Sequence, residues 1–390
     1  DKLLCHRVSF DGRKVEDGDV AEIGYIDLEE NKFVKLDETL AWNWQQGSQL
    51  QWLPSELNSS IIYNAIVDNE FVSIIYNINT HLKKIIPFPI YVVHPNGQEA
   101  LSIKFERHYW CRDGYNYKNL KDKRWDKPYH DDDGIFRVDL KQGAVSRIVS
   151  MVDIINTQRL EDFELCNNWL EHMMYSPSGN RFMFFHRWHK DGVDHTRLYT
   201  ASSKDGSAAF LYPDSKFYSH ADWKSDHELA IWSKLPVQGI SSIRSVAIRA
   251  NSNGLLRKFI RPTYHFLKQW LPSSLNKKIN QSSYFLQFKD LSHEYEIIGE
   301  GLLEGNGHST WSRDKRLILN DTYEDKNGYR HLMIFDSEKD VIKPIGKFFS
   351  SYNLCEYRAD LHPRFSPNER YVVIDSAHNA KRKMLVIKVR

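Results

Sequence analysis

The sequence predicts an all-β chain: a β-propeller of about seven four-stranded blades, with a partly helical, basic insertion near 236–283. Three observations carry that prediction. Short strand-like runs recur (VAEIGYIDL, SIIYNAIV, FVSIIYNI, RFMFFHRW, ELAIWSK, RLILNDTY, HLMIFD, YVVIDS, MLVIKV), and turn chemistry separates them at HPNGQ, SPSGN, KDGS, SRDKR and SPNER. Aromatic residues reach 13%, with 11 Trp, 20 Tyr and 20 Phe, while long amphipathic helical patterns are nearly absent. Third, four segments align without gaps, starting at His172, His220, His308 and His362. Each has an aromatic three residues after the histidine, then a polar turn, then an apolar strand. A hairpin repeating at a period near 45 residues is the signature of a propeller blade.

Taken in order, VAEIGYIDL supplies an N-terminal blade, expected to be closed by the C-terminal MLVIKV. Degenerate copies follow, with Gln49 and Ile90 in the histidine column. The four histidine copies follow these. The 88-residue gap from His220 to His308 holds the insertion, whose removal restores the period. Residues 1–390 therefore read as one propeller domain, with 236–283 inserted within one blade.

The first strand of a blade lines the channel of a propeller, so one repeat column forms one ring of side chains. An even hairpin would bring column position +14 back beside the histidine. His172 is then expected near His186, and His220 near Lys234, with Tyr218 at the same rim.

Composition removes several classes. Fifty-three basic and 51 acidic residues give a net charge of +2, so no global field steers the chain to nucleic acid. No run of about 18 apolar residues exists to make a transmembrane helix. The four cysteines are far apart and form no CxxC, which excludes a disulfide scaffold and leaves metal binding or packing. The chain begins at Asp1 without methionine, which leaves room for a cleaved leader.

Clustered imidazoles support metal binding, acid/base chemistry or both. Cys355 lies seven residues before His362, so His220, His308, Cys355 and His362 form a ligand set suited to zinc. The reactive part is then His172 and His186 with Tyr218, and Lys234, Arg187 and Arg197 supply cations. A base, a proton donor and a carboxylate-neutralising cation are what elimination across C4–C5 of a uronic acid requires. Hydrolysis would favour a carboxylate pair, and the rim columns hold none; Asp321 and Asp375 sit one residue away, more simply read as backbone acceptors.

Trp42 and Trp44 in AWNWQQG read as blade core rather than a sugar platform, and Gln45, Gln46 and Gln49 as better site candidates. Around the FERHYWCRDGYNY turn, Arg107, Arg112, Tyr115 and Tyr117 could reach an acidic sugar. HDDDG (130–134) reads as an ordinary acidic turn rather than a calcium loop. Residues 255–279 are basic and aromatic and could lie on an anionic membrane surface, although packing as a plain insertion is the simpler reading.

Together, AWNWQQGSQLQWLP (41–54), RDGYNY (112–117), EHMMYSPSGNRFMFFHRW (171–188), RLYTASSKDGS (197–207), YSHADW (218–223), GHSTWS (307–312), DTYEDKNGYRHLMIFD (321–336) and DLHPRFSPNERYVVIDSAH (360–378) resemble the propeller polysaccharide lyases. These include the oligogalacturonate lyases, the ulvan lyases and uncharacterised bacterial relatives. The resemblance covers the chain outside about 236–283. It implies cleavage of a uronic-acid-containing polysaccharide by β-elimination. By residue, it implies His172 and His186 as catalytic histidines, Tyr218 as their partner and Lys234 as the carboxylate neutraliser. Lysine there departs from the family's arginine and weakens bidentate recognition. Glu171 stands where relatives often have Asn and is expected to raise the His172 pKa if the two are close. Gln49, Gln46, Arg112, Tyr115, Arg187 and Arg197 are the expected substrate contacts. His220, His308, Cys355 and His362 resemble the family's metal cluster. The cysteine favours structural zinc; manganese is the alternative ion. The expected partner is an acidic polysaccharide or oligosaccharide. Rival readings are a non-catalytic glycan- or protein-binding propeller in capsule or exopolysaccharide assembly, and a metal-dependent glycan hydrolase. A degradative enzyme would be periplasmic or secreted; a biosynthetic one would be cytoplasmic or membrane-peripheral.

Overall fold

A computed structural model describes residues 1–213, 217–233, 283–352 and 356–389. They contain seven consecutive antiparallel sheets, the blades of a seven-bladed β-propeller. Five sheets have four strands; the first (Lys2–Arg7, Ala21–Asp27, Lys32–Thr39) and the last (Arg364–Phe365, Tyr371–Ser376, Lys383–Lys388) have three. The chain divides into two compact units. One comprises Asp1–Phe210 with Tyr352–Ala359, the other Leu211–Ser351 with Asp360–Arg390.

The strand sequences explain the layering. Strands in mid-blade are buried on both faces: Leu317–Asp321 is buried throughout, and Arg181–Lys190 is buried from Phe182 to Trp188. Such strands need cover on both sides, and the blades provide it face to face. In the first unit one core joins Ile23 to Ile61, Tyr63 and Ile74, and another joins Ile62 and Ile86 to Val93 and Val138. In the second unit Ala230 and Phe285 pack with Trp311 and Phe335, and Leu319 and Leu332 with Leu361 and Ile374.

One expected pairing fails. MLVIKV does not complete the N-terminal blade; Lys383–Lys388 pairs with Tyr371–Ser376, so the C-terminal strand finishes its own sheet. Trp42 and Trp44 are buried with Val15 and Ala21, as core residues. No helix among the described residues is long and apolar enough to cross a membrane. The insertion, including the basic stretch 255–279 for which a membrane contact was considered, lies outside the described residues.

Two connections matter for the site. Antiparallel strands alternate in direction. The link from second to third strand therefore emerges at the edge where the first strand begins. In blade three that link is residues 103–133 and carries the helix Phe105–Cys111, which packs on the strand Asn168–Tyr175. In blade four it is the tight turn between the ten-residue strands Arg181–Lys190 and Val193–Ser202.

Candidate functional site

Four of the six positions in the repeat column share a backbone signature, which Ile90 and His308 lack. Gln49, His172, His220 and His362 all have left-handed φ, at 57°, 55°, 49° and 41°. For residues with a Cβ this region is costly, and Asn, Asp and His tolerate it best. At His172 and His220 the residue sits in a bulge: pairing is broken between Glu171 and Met174, and between Ser219 and Ala221. A bulge inserts one residue and re-aims a side chain. Glu171 and His172 are adjacent, so a regular strand would point them to opposite faces. Here their side chains meet, with His172 Nδ1 3.3 Å from Glu171 Oε1.

Glu171 is the centre of a buried charge cluster in the first unit. Its Oε1 lies 2.5 Å from Arg112 Nη1 and 2.6 Å from Arg187 Nε. The carboxylate itself is inaccessible, Arg187 is nearly so, and His172 keeps 25% of its side chain exposed. Burial alone would raise the Glu171 pKa, but Arg112 and Arg187 outweigh it and hold the carboxyl well below the usual range. Burial pushes Arg187 down to about 10, helped by the neighbouring Arg112 charge. For His172 burial is the largest effect and lowers its pKa; Glu171 pulls the other way, and the two guanidiniums add to the lowering. The expected upward pull of Glu171 on the His172 pKa is thus present but outweighed, and the imidazole is kept neutral. With Glu171 ionised, two guanidiniums and a neutral imidazole leave the cluster a net positive charge of one.

Tyr115 extends the cluster. Its ring lies 5.6 Å from that of His172 and 4.2 Å from the Arg112 guanidinium, and its hydroxyl accepts from Arg358 Nη2 at 3.3 Å. On another side Tyr91 accepts two hydrogen bonds at its hydroxyl, from the His172 backbone N–H (2.9 Å) and Gln46 Nε2 (2.7 Å). Gln49 Nε2 then donates to Gln46 Oε1. Of the expected residues, His172, Arg112, Arg187, Tyr115, Gln46 and Gln49 therefore come together.

His186 does not join them. It pairs with Leu170, and Phe185 is the residue opposite Glu171, so His186 faces the other side of its sheet. There it is fully buried, bonded to Asn168 Oδ1 at 3.0 Å between Phe163 and Trp188. Burial, then the nearby Arg197, pushes its pKa down to about 3. Arg197 lies on that same side and donates to the carbonyls of Thr157 and Gln158. Both are packing residues, a correction to the catalytic role expected of His186 and the substrate contact expected of Arg197. The physical reason is register: the hairpin pairs out of step with the assumed symmetry, which exchanges faces. Tyr218 is buried, its ring against Phe288 and its hydroxyl donating to the Pro213 carbonyl at 2.5 Å. That hydroxyl is committed to backbone, against the acid/base partnership expected of it. Lys234 lies outside the described residues. Gln45, Arg107 and Tyr117 are buried structural residues.

The second unit holds the other cluster. The rings of His220 and His308 lie 3.9 Å apart, and those of His308 and His362 4.1 Å. Ligand atoms of His308, Asp360 and His362 all lie within 4.8 Å of one another. Asp321 accepts the His308 backbone N–H at 2.5 Å and sits 3.0 Å from its Nδ1; Asn306 Oδ1 is 2.8 Å from His220 Nδ1. Each contact makes Nδ1 the protonated nitrogen and Nε2 the one with a lone pair, the arrangement metal-ligating histidines adopt. Behind Asp360, buried Arg330 bridges to Glu324 at 2.6 Å and Asp360 at 2.7 Å. Burial and then the His308 charge push His362 down to about 3, and the same two causes hold His220 well below the ordinary imidazole range, so these two imidazoles are neutral. Imidazole nitrogens beside a carboxylate oxygen, as His308, His362 and Asp360 present them, suit a borderline divalent cation. Asp360 was missed in the sequence, although it stands two residues before His362 in DLHPR. Cys355 lies outside the described residues.

No protein-family description matches the chain, and no curated protein matches it either. Solved structures do. An oligogalacturonate lyase in complex with manganese matches with a TM-score of 0.61 at 13% identity, over 100% of this chain and 97% of that one. An oligogalacturonate lyase from Vibrio parahaemolyticus matches at 0.60 and 15% identity, over 100% and 92%. An acylaminoacyl peptidase from Pyrococcus horikoshii also matches, at 0.45 and 11% identity over 46% of its chain. At these identities the likeness is one of fold.

Proposed function

We propose that the chain is a polysaccharide lyase that cleaves a uronic-acid-containing polymer by β-elimination. One observation carries the reading: a half-buried His172, kept neutral, stands beside two guanidiniums that share one carboxylate. The likeness to oligogalacturonate lyases agrees with it. Arg112, more exposed than Arg187, is the cation for the substrate carboxylate, and stabilises the enolate-like charge that develops when C5 loses its proton. His172 takes that proton. The electron pair becomes the C4–C5 double bond, the C4–O4 bond breaks, and the leaving oxygen takes a proton from the Tyr115 hydroxyl. Gln46 and Gln49 meet sugar hydroxyls. Arg112 thus takes the neutralising role first expected of Lys234.

His220, His308, Asp360 and His362 would hold a divalent cation, zinc or manganese. Such an ion supplies positive charge that can bind and polarise a carboxylate, or fix the histidines structurally. The test is ultraviolet absorbance of an unsaturated uronate product, followed with the purified chain on pectate, ulvan, glycosaminoglycans and bacterial capsules. A rise that His172→Ala abolishes supports the lyase. New reducing ends without that absorbance would support hydrolysis, and polymer binding without any product would support the binding module.

A further inference from the structure

We infer that the blade-three connection 103–133 carries a second carbohydrate subsite, a tryptophan cradle for further residues of an acidic polysaccharide. This rests on the lyase reading for its substrate class, and on separate observations for its place. Large apolar side chains scattered singly on a surface are ordinary, but adjacent exposed indoles mark contact sites. Trp125 is 60% exposed and Trp110 is 39% exposed, and their rings lie 6.0 Å apart at 41°, an open V. Trp110 is not loose: its Nε1 donates to the Asp122 carbonyl at 2.9 Å, and Tyr109 packs edge-on against it at 4.7 Å. A fixed ring loses little entropy on binding.

Charge identifies the occupant. Lys121, Lys123 and Lys127 are exposed on the same connection, Lys121 Nζ lying 4.7 Å over the Tyr109 ring that packs on Trp110, and among the described residues none of the three forms an ion pair. Pyranose rings offer an apolar C–H face to an indole, and a uronate or sulfate group offers the counter-charge to lysine. A neutral glycan would satisfy only the first, and a nucleic acid would meet a chain with little net charge. Position points the same way. The helix Phe105–Cys111 that bears Trp110 ends at Arg112, whose guanidinium reaches Glu171 beside His172. One connection thus supplies both the cation of the reactive cluster and the indoles, which places the cradle as a neighbouring subsite for the same chain of sugars.

Affinity gel electrophoresis of the full chain in gels containing polygalacturonate, ulvan or neutral dextran tests this. The parent is expected to be retarded by at least one polyuronate and not by dextran. Trp125→Ala and Trp110→Ala should each weaken that binding about tenfold, equivalent to about 1.4 kcal/mol, while Trp125→Phe recovers most of it. Lys121→Glu combined with Lys123→Glu should weaken it further and flatten its salt dependence. Leu82→Ala, at an exposed position in another blade, controls for surface change. Unchanged binding in both alanine variants overturns the inference, as does a parent retarded by neither polyuronate. The lyase reading fails separately: polymer binding that needs Trp125, with no unsaturated product on any polymer, keeps the cradle and removes the reaction.

Discussion

His172 shows how a single residue's chemistry depends on everything packed around it. From sequence, Glu171 alone was weighed, and it argued for a raised pKa. The fold adds burial, Arg112 and Arg187, and the sum reverses. Because the folded pKa lies below the ordinary value near 6.5, the proposed base is neutral at pH 7. The acid limb of a kcat/KM profile should therefore fall below pH 6.5, and a limb above it would contradict the assignment. The stability sign is the same: His172 contributes above about pH 6.5 and that contribution is lost as pH falls through its lowered folded pKa. Glu171→Gln should be severe. It leaves two guanidiniums facing each other without their shared carboxylate, and removing one partner of a buried pair costs about 3–5 kcal/mol. Thermal melts should show a fall of many degrees; a change within a degree would mean the cluster is solvated. Asp133 is the opposite case. Burial pushes its carboxyl up to about 6, and one hydrogen bond from the Gly134 N–H only partly offsets that. Its folded pKa is raised, so at pH 7 it costs stability. Asp133→Asn keeps the acceptor and should stabilise at pH 7 by about 1–3 kcal/mol, a gain that vanishes near pH 4 in urea unfolding.

At the scale of the element, the strands were legible and their register was not. Alternating apolar runs and turn residues fix where strands begin and end, because those patterns are local. Pairing depends on where the turn closes and whether a bulge intervenes. Thr310 pairs with Leu319 and Arg364 with Val373, each one residue short of the symmetric assumption, and bulges shift His172 and His220 further. One residue exchanges the faces of a strand, which is why His186 was mistaken for a partner of His172 while Arg187, its neighbour, was the cluster member. The bulge also makes a prediction. Glycine adopts left-handed φ at little cost, and alanine does not. His172→Gly should be more stable than His172→Ala by about 1 kcal/mol, although both lack the imidazole and both should be inactive. Equal melting temperatures would argue against the strained backbone at this position.

For the whole molecule, the repeat made the seven-bladed fold readable, because a 45-residue period survives where individual motifs fade. The clusters were readable in part: the three histidines that meet in the second unit lie in the column, while Asp360 escaped because it lies outside the aligned segment. That set makes a prediction for the intact chain. Removing divalent metal with a chelator should lower the melting temperature, manganese or zinc should restore it, and His308→Ala should melt at one temperature with or without chelator. A parent insensitive to chelator would remove the ion from the site. The left-handed turn shared by Gln49, His172, His220 and His362 carries a consequence for how such a fold diversifies. A backbone in that conformation admits few residue types, and several of them, His, Asn and Asp, are proton carriers or ligands. Duplicating a blade therefore copies a slot already biased toward reactive side chains. New chemistry around the ring can then arise by exchange within a short alphabet, with the scaffold left as it was.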